Sequence, residues 1–283
     1  MSVKNPFSYS ENLNLYKCRE CGTCFFEPFE YPSYSDDYKY ENYAKFYVEQ
    51  GAGIDFMIKP LLFLSNLRNY SSILDVGCGF GFLVKFAEEI LHMEAIGVDP
   101  SRYCKEGQKI LNINTYNNYL EYVNELKGKN YDIVYSSEVI EHIMDPSNFV
   151  KLLKNYLHEN GVLILTTPNA EFINCQTPVS TLMEILLPGF HHILFSPFSI
   201  QMLLTGLGFK SIEVMKEAHR LIVFASKERN KKLIAYTEDK DLRDKYYIQY
   251  LEKLSQISHP WLKLGVMHRL FKEIVNKLSL IHI

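Results

Sequence analysis

Apolar and polar positions alternate in blocks through the middle of this chain. Short apolar runs at 73–76, 95–98, 113–116, 131–135 and 161–166 read as buried strands, with stretches of helical period between them. Residues 82–91 illustrate the helical blocks: Leu83, Phe86, Ala87 and Ile90 recur at the spacing that places them on one face. Strand and helix in alternation predict an α/β layout with a parallel sheet. Residues 188–197 form a loop, 197–206 a helix ending at Gly208-Phe209, and 210–216 with 220–226 a closing antiparallel hairpin. On either side the pattern changes. Residues 1–69 are aromatic, acidic and rich in turn formers. Residues 227–283 are basic, with apolar positions at Tyr247, Leu251, Leu254 and again from Leu264 to Leu278 that fit amphipathic helices broken near Pro260. Three segments are therefore expected: 1–69, a central domain over 70–226, and a helical extension over 227–283.

The first strand–turn–helix block carries the most chemistry. Ile73-Leu-Asp-Val76 runs into Gly77-Cys-Gly-Phe-Gly81, and the helix follows at once. Glycines in that turn let backbone approach a ligand closely, and the helix N-terminus offers free N–H groups. A dinucleotide fingerprint spaces its glycines G-x-G-x-x-G to seat a pyrophosphate, whereas this chain has G-x-G-x-G with Asp75 just before it. An acid there suits an ammonium and would repel a phosphate. The next run, Ala95-Ile-Gly-Val98, ends at Asp99, placed to accept hydrogen bonds from ribose hydroxyls. A ligand with a ribose, an amino-acid end and no phosphate meets both constraints, and S-adenosylmethionine has that chemistry.

Five blocks in order make the chain resemble the class I S-adenosylmethionine-dependent methyltransferases. The resemblance is to the small-molecule branch that includes ubiquinone-biosynthesis O-methyltransferases and sugar methyltransferases. The blocks are Ile73 to Gly81, Gly97-Val-Asp-Pro-Ser101, Tyr131 to His142, Gly161-Val-Leu-Ile-Leu-Thr-Thr-Pro-Asn169, and Phe195 to Phe209. The resemblance implies a Rossmann-like, doubly wound, mostly parallel seven-stranded sheet with helices on both faces. Related enzymes use a comparable N-terminal Cys- and Tyr-rich segment as a lid, whereas residues 227–283 lie outside the resemblance. Gly77, Gly79 and Gly81 are then expected at the methionine end of the cofactor, with Asp75 near its amino group. Asp99 is expected at the ribose, Pro100, Ser101 and Asn117 on the adenine side, and Ser136 and Ser137 at the cofactor floor.

Ser137-Glu-Val-Ile-Glu-His142 falls at the C-terminal end of the fourth strand, where open α/β sheets bind ligands. Methyl transfer depends chiefly on alignment, and a base is needed only where the acceptor must lose a proton. Glu141, His142 and His191 are the candidates for that chemistry. The same Glu-x-x-Glu-His, with Thr-Pro-Asn-x-Glu-Phe at 167–172 and the pair His191-His192, also resembles the small-RNA 3′-terminal 2′-O-methyltransferases. By that resemblance Glu138, Glu141, His142 and His191 or His192 would hold a divalent metal such as magnesium or manganese. A sugar nucleotide or glycan precursor is the leading expectation for the acceptor, by analogy with the N-terminal cysteine–tyrosine arrangement. A metal-dependent RNA 3′-terminal ribose methyltransferase and a non-catalytic cofactor-binding partner subunit are the alternatives.

Cys18, Cys21 and Cys24 follow the Cys-x-x-Cys-Gly pattern of a zinc-knuckle half, yet residues 1–17 supply neither cysteine nor histidine for the rest of a tetrahedral site. Zinc there is as readily replaced by a metal-free remnant. Tyr31, Tyr34, Tyr38, Tyr40, Tyr43 and Tyr47 are the expected lid residues. The remaining composition constrains partners. A net charge of -3 gives no global basic field for nucleic acid. No apolar run approaches a membrane span, and the polar start is no signal peptide. Six cysteines with no disulfide framework fit a reducing compartment. A cytoplasmic enzyme acting on a small-molecule acceptor, paired as a homodimer through its C-terminal helices, is the expectation.

Overall fold

The structure is a computed structural model that describes residues 2–3, 13–27, 54–229 and 240–258, together with Val266 and Arg269. The expected lid tyrosines, Tyr31 to Tyr47, and the apolar positions from Leu264 to Leu278 other than Val266 lie outside the described residues.

The larger sheet has seven strands, mostly parallel, as the α/β pattern predicts. Its strands belong to two compact units, one of residues 1–34 and 124–234, the other of residues 35–123 and 235–283.

In the second unit, α1 (Ile54–Leu67) precedes β4 (Ser72–Val76), α2 (Phe82–Glu89), β5 (Glu94–Val98), α3 (Arg102–Leu111) and β6 (Thr115–Tyr116). β4 pairs in parallel with β5, with Asp75 opposite Gly97, and β5 with β6. Both faces of β4 are covered, so Ile73 to Val76 are all buried; that is why this strand reads as an unbroken apolar run. α2 buries Leu83, Phe86 and Ala87 as its periodicity predicts, and Phe82 and Val84 besides. Helix α7 (Lys240–Ser255) packs on the same unit through Tyr247, Tyr250, Leu251 and Leu254. Tyr250 is fully buried, sets its ring edge against Phe86 at 5.3 Å and donates its hydroxyl to the Phe82 carbonyl at 2.5 Å.

In the first unit, β7 (Tyr131–Ser137), α4 (Pro146–Asn155), β8 (Leu157–Pro168), α5 (Val179–Leu186), α6 (Pro197–Gly206), β10 (Ser211–Glu217) and β11 (Arg220–Ser226) follow one another. β7 and β8 are parallel, while β11 is antiparallel to both β8 and β10, which is the expected closing hairpin. The helix expected over 197–206 begins where it should because Ser196 and Ser199 cap each other's backbone N–H groups and Pro197 opens the first turn. A second, four-stranded sheet was not legible beforehand: β1 (Ser2–Val3), β2 (Leu13–Lys17), β3 (Cys24–Glu27) and β9 (Ile193–Leu194). Its inner face packs Leu13, Cys24, Phe26 and Leu194 with Ala170, Ile185 and Leu186. Among the described residues, no helix is long and apolar enough to cross a membrane.

Candidate active site

The turn after β4 is held open by three glycines at positive φ: Gly77 (80°), Gly79 (53°) and Gly81 (84°). At Gly81 a Cβ would also strike Ile113 Cδ1 at 2.2 Å, so the position excludes a side chain on two grounds. A fourth glycine shapes the turn from α3: a Cβ on Gly107 would sit 1.8 Å from the carbonyl oxygen of Phe80, and its absence lets that helix lie directly on the turn. Asp99 shapes the turn as well. Its Oδ2 accepts the Gly79 N–H at 2.9 Å and its Oδ1 accepts the Ser101 N–H at 2.7 Å. Asn117, at the end of β6, donates to the carbonyls of Asp99 (3.0 Å) and Ser101 (2.6 Å). Both its N–H groups are thus engaged by backbone, and its amide oxygen remains as an acceptor. Pro100 is exposed, and the Ser101 hydroxyl is buried without a partner.

Asp75 is the most telling residue of this unit. It is 1 % exposed, and neither carboxylate oxygen has a hydrogen-bond partner. Burial, then the nearby Asp99 carboxylate and the Cys104 thiol, push its acid well above the ordinary range. A buried carboxylate with no donor is costly, and a cationic ligand group is what such a site lacks.

The other unit carries the acid–histidine group. β7 ends at Ser137, and Glu138 turns the chain at φ 54° into a short 3-10 turn, Ile140–His142. Glu141 (fully buried), His142 and His191 converge, with one ligand atom of each within 4.8 Å of the others. His142 Nδ1 lies 2.9 Å from the Phe190 carbonyl oxygen and His191 Nδ1 lies 2.6 Å from that of Ile185. A carbonyl only accepts, so both Nδ1 atoms carry the proton and both Nε2 atoms present lone pairs. Burial, above all, lowers His142 from 6.5 to about 4 and His191 to about 3, so both rings are neutral at pH 7. Glu141 Oε2 accepts from Thr167 Oγ1 at 2.9 Å, while Oε1 has no hydrogen-bond partner. Burial, reinforced by the charge of Glu138, raises its acid well above the ordinary value. Two neutral imidazoles and one carboxylate aimed at a common point form a donor set that fits a divalent cation, with the backbone carbonyls orienting the rings.

Glu138 and His192 do not join that group. Glu138 Oε1 accepts from Thr166 Oγ1 at 3.1 Å, Oε2 lies 3.3 Å from Arg220 Nε, and burial raises its acid. Ser137 in turn donates to Thr166 at 2.7 Å, because the Thr166 proton is already directed at Glu138. His192 contributes its backbone, donating its N–H to the Glu141 carbonyl at 2.7 Å and accepting from Phe26. Ser136 is buried, its hydroxyl without a partner. Thr167 and Arg220 carry no local signal in the sequence, since neither neighbours in sequence the acid it meets. The N-terminal cysteines are free thiols: Cys18 and Cys21 lie in the β2–β3 turn, and Cys24 is buried in the apolar cluster described above. Backbone N–H groups of Cys21 and Glu20 lower the Cys18 thiol, but among the described residues no third ligand joins these two cysteines.

The profile of the methyltransferase domain family matches residues 47–214. This chain belongs to that family. Curated relatives include ubiquinone biosynthesis O-methyltransferases of Dictyostelium discoideum (mitochondrial), 29% identical over 119 residues, and of Bradyrhizobium diazoefficiens, 32% identical over 117 residues. The matched segments cover 36% and 40% of this chain and 37% and 44% of those proteins, so it spans less than half of either. Solved structures share the fold. An O-methyltransferase family protein from Burkholderia thailandensis superposes with a TM-score of 0.55 at 10% identity, covering 70% of this chain and 62% of that one. The plantazolicin methyltransferase BpumL in complex with SAH gives a TM-score of 0.56 at 16% identity, covering 70% and 93%.

The chain carries a methyltransferase domain with the fold of S-adenosylmethionine-dependent enzymes, and its own residues fit that donor. The orphaned Asp75 carboxylate fits the ammonium of the amino-acid end, and the open glycine turn leaves room for the chain leading to the sulfonium. Asp99 retains lone pairs for ribose hydroxyls beyond the two backbone N–H groups it already accepts. The free amide oxygen of Asn117 can accept from the exocyclic amine of adenine, the contact an aspartate would otherwise make.

Proposed function

We propose that this methyltransferase acts at a hydroxyl oxygen of a small aromatic molecule, a phenol or catechol, with Glu141, His142 and His191 as its acceptor centre. The observation that carries the reading is the convergence of one buried carboxylate and two neutral imidazoles at the C-terminal end of β7. The relatives named for O-methyl transfer in ubiquinone biosynthesis favour an oxygen on a ring over the sugar nucleotide expected by analogy.

The chain's residues divide the work. Asp75 binds the donor's ammonium, and Asp99 fixes the glycine turn and the ribose. Glu141, its acid raised by burial, takes the hydroxyl proton as the oxygen attacks. His142 and His191, oriented by the Phe190 and Ile185 carbonyls, present their Nε2 atoms. S-adenosylmethionine, when bound, supplies an electrophilic methyl on a sulfonium. A divalent cation, when held by Glu141, His142 and His191, would polarise the acceptor oxygen and lower its pKa. We assign the chemistry to residues 70–226, with a cytoplasmic setting supported by the free cysteines.

The experiment is transfer of labelled methyl to catechol, to the matching aromatic amine and to a sugar nucleotide, each with and without a chelator. Methylation of catechol alone supports the reading. Methylation confined to the sugar nucleotide or the amine would overturn it. Loss of catechol turnover with chelator, restored by magnesium, manganese or cobalt, would add the cation to the centre.

A further inference from the structure

We propose that Asn169 binds the methyl acceptor, its side-chain N–H donating a hydrogen bond to the acceptor oxygen beside Glu141. The inference rests on oxygen being the methylated atom, as proposed above.

Asn169 is fully buried just past the end of β8. Its Oδ1 accepts the Glu171 N–H at 3.0 Å, capping the 3-10 turn Ala170–Phe172. That bond fixes the amide's orientation, because a flipped amide would set two donors against each other. Nδ2 is left with no hydrogen-bond partner. The surrounding backbone is clamped: the Asn169 N–H donates to the His219 carbonyl at 2.8 Å and the Ala170 N–H to that of Phe195 at 2.9 Å. The amide therefore has little freedom to find a partner elsewhere, and leaving such a donor orphaned is costly.

Its direction is set by the strand. Thr167 and Asn169 are two residues apart on extended backbone (Asn169 φ −93°, ψ 111°), so their side chains leave on the same side. Thr167 uses that side to reach Glu141 Oε2 at 2.9 Å, and Glu141 Oε1 likewise has no hydrogen-bond partner, with His191 Nε2 3.9 Å away. One buried donor and one buried acceptor thus share a side of the strand, each lacking what the other could not supply through an intervening group.

A hydroxyl satisfies both at once, donating to Glu141 Oε1 and accepting from Asn169 Nδ2. An ammonium can donate but not accept, and an ether or ketone can accept but not donate, so the pair fits a hydroxyl better than any of these. In the transfer, the O–H proton passes to Glu141, the oxygen lone pair forms the new C–O bond, and the electrons of the S–C bond remain on sulfur. Asn169 stabilises the charge that develops on oxygen as the proton leaves.

The test compares wild type with Asn169→Ser, which keeps an oxygen to cap the turn, and with the near-isosteric Asn169→Asp. Each is measured for thermal midpoint, SAH affinity by calorimetry, catechol affinity of the SAH-loaded protein, and kcat/KM with catechol. The proposal predicts that both variants lose about 10- to 100-fold in kcat/KM and in catechol affinity, with SAH affinity unchanged. A variant that loses thermal stability but keeps wild-type kcat/KM and catechol affinity would show that the amide serves a structural water, and would overturn the assignment while leaving oxygen transfer intact. A wild type that methylates only amines would overturn the oxygen reading and this inference with it.

Discussion

The carboxylate of Asp99 accepts the backbone N–H of Gly79 at 2.9 Å, so the acid expected to hold the ribose also holds the glycine turn in shape. Its second oxygen does the same for Ser101. Asp99→Ala removes both braces and the proposed ribose contact. Hydrogen bonds to charged groups contribute roughly 1.5–3 kcal/mol each, so SAH affinity should fall by about 100-fold or more. Asp99→Asn keeps one acceptor and should lie between. Calorimetric titration of SAH into the three proteins checks the order, and equal affinities would contradict the double role.

Gly107→Ala tests the turn from beneath. The added Cβ would lie 1.8 Å from the Phe80 carbonyl oxygen, so α3 or the turn must move. Overpacking against backbone costs roughly 1–3 kcal/mol. Urea unfolding should show that loss, together with weaker SAH binding, whereas Gly206→Ala, where nothing lies within 4 Å of the new Cβ, serves as the neutral control for added volume.

The neutral histidines predict an acid-sensitive fold. In the unfolded chain each titrates near 6.5, while in the folded chain protonation waits until about 4 for His142 and about 3 for His191. Below 6.5 the unfolded state therefore binds more protons, and stability falls as pH drops. Their contribution is fully present above pH 6.5 and declines from 6.5 to about 4 for His142 and to about 3 for His191. The raised acids of Asp75 and Glu141 act in the opposite sense, favouring the folded state at low pH and losing that advantage as pH rises through their folded pKa. Urea unfolding of wild type and His191→Gln between pH 7.5 and 5 separates the two. The variant should show a shallower decline on acidification.

Tyr250 joins the C-terminal helix to α2 through a buried hydroxyl as well as its ring. Tyr250→Phe leaves the ring against Phe86 but strands the Phe82 carbonyl, at a cost of about 1–2 kcal/mol by chemical denaturation. An unchanged midpoint would mean that the ring alone docks α7.

Much of this was legible in the chain because parallel strands buried on both faces leave continuous apolar runs. Ile73–Val76 and Ala95–Val98 lie within β4 and β5, and the closing hairpin falls at 211–217 and 220–226 against an expected 210–216 and 220–226. The small N-terminal sheet was not legible. Leu13–Lys17 and Cys24–Glu27 are too short and mixed to stand out, and the cysteines there suggested a metal where Cys24 instead packs among Leu13, Phe26 and Leu194. The site divides along the same line. Asp75, Asp99, Glu141 and His142 sit at strand ends that local pattern locates. The pairing of Glu138 with Arg220, the Thr167 bond to Glu141, and the buried amide of Asn169 join residues far apart in the chain, and pairwise geometry of that kind leaves no local signature.

The most direct test of the account is the orphaned carboxylate of Asp75. SAH titrated into the wild type should bind saturably at one site, and Asp75→Asn, which keeps the shape but loses the charge, should weaken it by about 10- to 100-fold. Relief of the buried charge should at the same time leave Asp75→Asn as stable as the unliganded wild type or more so. Absence of binding to folded wild type, or equal affinity in the two proteins, would contradict the assignment of this carboxylate to the methyl donor.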